Sequence, residues 1–95
     1  MTELTQKNYH AEVENSGIPV LIEFSANPTL PAELTEKYQD QCKFCRVDVS
    51  KQALFAKKFE LVHLPTSILL HDGKIVQRIS GKRSDAQWKK ILNLD

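Results

Sequence analysis

Apolar positions fall into short blocks whose period changes along the chain, and each change marks an element. Val20-Leu21-Ile22-Glu23-Phe24, just after Pro19, is a near-continuous apolar run, as in a central strand covered on both faces. Upstream, Met1 to Leu4 reads as a short edge strand. Thr5 reads as the N-cap of a helix that carries Tyr9 and Val13 on one face and stops at Gly17. Ala26-Asn27-Pro28-Thr29-Leu30-Pro31 has two prolines and an Asn and is not helical. Ala32 to Tyr38 then forms about two helical turns, with Pro31 tolerated at their start.

Phe44 to Val49 is rich in β-formers and predicts a second core strand. Ser50 is positioned to cap a helix whose Leu54, Phe55 and Phe59 are spaced to share a buried stripe. Thr66 to Leu70 and Lys74 to Ser80 predict strands joined through His71-Asp72-Gly73, because Asp-Gly favours a tight hairpin. Ser84-Asp85-Ala86-Gln87 matches a capping box, and Trp88, Ile91 and Leu92 would face inward on the last helix. The order β-α-β-α-β-α-β-β-α implies a mixed sheet with helices on both faces, in one domain over residues 1–95.

Composition narrows the function. The 95 residues carry 13 basic and 12 acidic side chains, a formal charge of +1, where a nucleic-acid binder would show a basic excess. No apolar run approaches roughly eighteen residues, so no membrane span is expected. The polar stretch Met1 to Ser16 lacks the apolar core of a secretory signal, and two cysteines are too few for a disulfide-stapled secreted domain. The expectation is a cytoplasmic protein without nucleic-acid or membrane partners.

Five segments, in order, resemble the thioredoxin family. Val20 to Ala26 is similar to its central strand. Glu33 to Tyr38 followed by Phe44 to Val49 resembles the end of its second helix and the next strand. Phe59 to Leu70 holds Leu64-Pro65-Thr66, similar to the family's I-P-T; Asp72-Gly73-Lys74 and Ser80-Gly81 match its hairpin turn and groove glycine. The resemblance implies a thioredoxin-like α/β fold: a mixed sheet of four to five strands flanked by helices, with a shortened second helix. It also implies a cis bond before Pro65, forming one wall of a substrate groove.

The family places W-C-x-x-C directly after the central strand, where a helix N-terminus lowers the first thiol's pKa. Here Asn-Pro-Thr-Leu-Pro-Ala follows Ala26 instead, and no cysteine lies between Ser25 and Gln41. Without a thiolate at that place there is no attack on a disulfide. Glu60 is a second departure, standing where the family usually has Gly. A left-handed residue there would cost about 1 kcal/mol, so the preceding helix is expected to end differently.

Cys42-Lys43-Phe44-Cys45 is itself a C-x-x-C, at positions that are apolar in the family pattern. On an extended strand, residues three apart point to opposite faces about 10 Å apart, whereas a disulfide needs its Cα atoms within about 7 Å. The pair reads as two small hydrophobes, unless Cys42 occupies a turn before the strand. No second C-x-x-C or paired histidine follows, so neither metal nor other cofactor is expected.

Glu23 matches the family's buried carboxylate, a relic once its cysteine partner is gone. His63 and His71 flank the proline strand with no nucleophile beside them, and Lys82, Arg83, Lys89 and Lys90 read as a solvated helix face. What remains is the groove: Leu30, Leu64, Pro65, Thr66 and Gly81. In the family the backbone before the cis proline pairs with an extended peptide, which needs no thiol. The first functional expectation is therefore a redox-inactive, peptide- or partner-binding module of chaperone or assembly type. The alternatives are a thiol-disulfide oxidoreductase of cell redox homeostasis using Cys42 and Cys45, and a loop-deleted or engineered thioredoxin.

Overall fold

The β-forming blocks pair into one five-stranded sheet. In the computed structural model, which describes residues 1–95, the strands are β1 (Thr2–Glu3), β2 (Val20–Ser25), β3 (Lys43–Asp48), β4 (Thr66–His71) and β5 (Lys74–Ser80). Their spatial order is β1-β3-β2-β4-β5. β3 lies parallel to β1 and β2, while β4 runs antiparallel to β2 and β5. The helices are α1 (Ala32–Lys37), α2 (Ala53–Lys57) and α3 (Asp85–Ile91), with a π-helical segment at His10–Glu14. This is the α/β, thioredoxin-like mixed sheet that the residues imply.

The apolar run of β2 sits at the centre because it feeds two cores at once. Val20, Ile22 and Phe24 point to one face, joining Leu4, Val13, Cys45, Phe55 and Ala56. Leu21 points to the other, with Leu30, Leu34, Tyr38, Cys42, Phe44 and Trp88. Every residue of β2 is buried, as the absence of polar alternation predicts. Tyr9, Phe24, Phe55 and Phe59 stack edge-on or tilted in the first core, with centroids 4.8 to 5.8 Å apart.

Turn and cap chemistry holds at the C-terminal end. Asp72 and Gly73 both take positive φ, 54° and 76°, and join β4 to β5 by the tight turn that Asp-Gly favours. Ser84 and Gln87 form the reciprocal capping box of α3. No helix is long and apolar enough to cross a membrane.

Four local expectations are corrected. Thr5 acts as a cap, its hydroxyl accepting from the Lys7 N–H at 3.2 Å and its own N–H donating to Asn8 Oδ1 at 2.8 Å, but what it opens is not a regular helix. The chain turns there and enters a π-helical segment instead. Ser50 is not a helix cap. Its N–H and hydroxyl both donate to Asp48 Oδ1, at 3.0 and 2.6 Å, so α2 starts later and without a side-chain cap. The late start leaves Leu54 83% exposed while Phe55 is buried, so those residues do not share a stripe. Glu60 adopts the left-handed conformation that a glycine would favour, at φ 54°, rather than avoiding it.

Candidate functional site

The C-terminal end of β2, the loop after it and the chain around Pro65 enclose a cleft of about 320 Å³. Residues 25–29 form one wall, Leu64 and Pro65 the other, and Lys82 stands at the side. The Leu64–Pro65 bond is cis, as the resemblance implies. The Gly81 N–H donates to the Pro65 carbonyl at 2.8 Å, with Gly81 at φ 82°, and ties the start of the last loop to the proline. Leu64 itself is 54% exposed, and neither its N–H nor its carbonyl is bonded within the protein. A free main-chain donor and acceptor therefore stand side by side at the mouth of the cleft.

The opposite wall is held by two buried charged side chains from neighbouring strands. Glu23 and Arg46 are in register across β2 and β3, yet they serve different ends of the loop. The wholly buried Glu23 carboxylate accepts from the Thr29 N–H at 2.8 and 3.1 Å and from the Thr29 hydroxyl. Arg46 donates to the carbonyls of Ser25 and Ala26 at 3.2 and 2.7 Å and faces Glu3 and Asp48 at 3.3 and 3.7 Å. Ser50 hydrogen bonding, first through its hydroxyl, holds the Asp48 carboxyl below its usual range, which keeps an anion beside Arg46. Glu23 is thus a structural clasp for the loop, with a partner that the resemblance did not supply.

The predicted site residues divide. Leu64, Pro65 and Gly81 assemble at the cleft. Thr66 is buried, and its hydroxyl donates to the His63 carbonyl. Leu30, expected on the rim, is only 8% exposed and packs in the second core with Leu34 and Trp88; the loop turns it inward. Lys82 and Arg83 are not on a helix face, because α3 begins only at Asp85. Lys89 is, and its ammonium lies 5.6 Å from the centre of the Tyr38 ring. Arg46 and Thr29 were missed; an arginine inside Phe44-Cys45-Arg46-Val47 was the available signal, since a buried charge must find partners.

The two thiols lie on β3 and just before it. Cys42 is outside the strand, in the bend preceding Lys43, as a relocated dithiol would require. Yet Cys45 packs in the first core and Cys42 in the second, on opposite faces of the sheet, and both are free. Burial pushes the Cys42 thiol up to about 12, with a Leu21 backbone hydrogen bond offsetting part of the effect. Burial likewise raises Cys45 to about 11. Neither thiol lines the cleft.

Known proteins place this arrangement. The chain matches the thioredoxin family model over residues 1–93. It is 31% identical over 100 residues to a thioredoxin of Mycobacterium bovis, covering 96% of this chain and 85% of that protein. It is 30% identical over 91 residues to thioredoxin H2 of Arabidopsis thaliana, covering 87% and 68%. Similarity to the bifunctional thioredoxin reductase/thioredoxin of Mycobacterium leprae is 30% over 99 residues, 96% of this chain but 22% of that larger protein. With the sheet order, the cis proline and the buried strand carboxylate in place, the chain belongs to the thioredoxin family.

Proposed function

We propose that the protein binds an extended peptide segment of a partner in the cleft beside Leu64, by main-chain pairing and without thiol chemistry. The observation that carries this reading is the unbonded N–H and carbonyl of Leu64, exposed next to the cis proline with no cysteine in reach. Each such hydrogen bond contributes about 1 kcal/mol net, so binding is reversible and of micromolar affinity or weaker. NMR titration with an extended Ser/Thr/Val peptide tests it: the Leu64 and Gly81 amides shift first, and shifts confined to the α3 surface would overturn it.

A second reading has its own support. The relatives are named thioredoxins, and Cys42 and Cys45 keep a C-x-x-C spacing with Cys42 in a bend. On that reading the protein is a thiol-disulfide oxidoreductase, in which the two thiols must leave their separate cores to meet. Reduction of insulin by dithiothreitol separates the two. Acceleration that vanishes in Cys42→Ser and Cys45→Ser favours the oxidoreductase, and a rate equal to that with an unrelated protein favours the binding module.

A further inference from the structure

Leu64 lines two depressions that differ in the charge at their walls. On one side lies the cleft described above, whose only charged lining residue is Lys82. The carboxylate nearest to the loop wall, Glu23, is wholly buried and already bonded to Thr29, so it does not neutralise that lysine at the surface. On the other side lies an apolar groove of about 620 Å³, formed chiefly by Val49, Ala53, Ala56, Leu61 and Val62. Val62 is 85% exposed, an unusual state for a branched apolar side chain beside a groove. Lys57 and Glu60 on the groove's rim have opposite signs and set no preference for charge there.

Resting on the peptide-binding reading, we infer that the partner segment is bipartite: an apolar side chain seated in the groove and an acidic side chain beside Lys82, on either side of the residue that pairs with Leu64. The main chain supplies attachment, and the two flanking side chains supply the choice of partner. A basic residue next to Lys82 meets like charge, whereas a carboxylate meets an unpaired ammonium. Because Lys82 is exposed, the charge preference is modest and screened by salt.

The probes are short fluorescent Ser/Thr/Val peptides holding one Leu and one Asp at graded separations, with Asp→Lys and Leu→Ser counterparts, read by anisotropy. At low ionic strength the best Leu–Asp peptide binds about fivefold more tightly than its Asp→Lys counterpart, and added salt shrinks the difference. Lys82→Glu inverts that order, and Val62→Ser brings the Leu peptide down to its Leu→Ser counterpart. Both substitutions are at exposed positions, and thermal melts establish that the variants fold. If the charge order survives Lys82→Glu, or Leu→Ser changes nothing, the bipartite partner is wrong while peptide binding stands. If no peptide of the series binds and the Leu64 amide does not respond, both fall.

Discussion

Glu23 and Thr29 clasp each other across the turn that follows the central strand. The Thr29 N–H points at both carboxylate oxygens, at 2.8 and 3.1 Å, and its hydroxyl donates to one of them. Burial makes this contact obligatory in both directions. A carboxylate at 0% exposure needs donors, and the proline-flanked loop has few backbone N–H groups to offer. Arg46 holds the preceding carbonyls of Ser25 and Ala26, so the wall of the cleft is fixed at both ends.

Breaking the clasp should cost stability and loosen the cleft. Thr29→Val removes the hydroxyl donor and is expected to destabilise by about 1 kcal/mol; Glu23→Ala, which orphans the Thr29 N–H and leaves a void, by about 3 kcal/mol. Urea denaturation gives the energies. Hydrogen exchange at Thr29 should accelerate in Glu23→Ala more than exchange in β4.

Arg46→Met should destabilise by about 2 kcal/mol, through loss of charge-assisted bonds to the Ser25 and Ala26 carbonyls. Of the carboxylates that face it, Glu3 lies at the surface and Asp48 keeps its bonds from Ser50, which limits the penalty of leaving them unpaired. A melting temperature unchanged within error would show that the buried guanidinium does not hold the loop.

The thiols predict an alkaline loss of stability. Below pH 9 the folded and unfolded chains both keep the thiol protons, and the contribution is fully present. Above pH 9 the unfolded chain releases them while the folded chain holds them until about 11 for Cys45 and about 12 for Cys42. The unfolded state then binds fewer protons, so stability falls between pH 9 and pH 12. In Cys42→Ala/Cys45→Ala that part of the slope disappears, and in the native protein both thiols react with Ellman's reagent at pH 8 far more slowly than after denaturation.

Leu30 and Leu64 separate folding from binding. Leu30→Asp buries a charge in the second core and should destabilise by about 3 kcal/mol or more. Leu64→Asp, at a half-exposed position, should leave the melting temperature nearly unchanged and weaken peptide binding. Equal effects of the two on stability would contradict the inward placement of Leu30.

Glu60→Gly should stabilise by about 1 kcal/mol, because glycine takes φ 54° without the Cβ clash that glutamate carries. Gly73→Ala, at φ 76° in the hairpin turn, should destabilise by a similar amount. Paired thermal melts of the two variants check both signs.

Local chemistry settled much of this protein from the sequence alone. The apolar run of β2, the Asp-Gly turn and the capping box at Ser84 are encoded within a few residues each and are found where the residues put them, while the cis bond before Pro65 follows the family resemblance. Other features depended on which side chain reached a shared partner first. Asp48 won Ser50, so the expected cap of α2 failed and Leu54 was left in solvent. The inward turn of Leu30, the Glu23–Thr29 clasp, Arg46 beneath the loop and the separation of Cys42 from Cys45 across the sheet are long-range outcomes. Each is set by which face of the sheet a residue meets once strands and helices pack. Spacing along a chain carries that information only when the element is regular, and at residues 26–31 and 41–42 it is not.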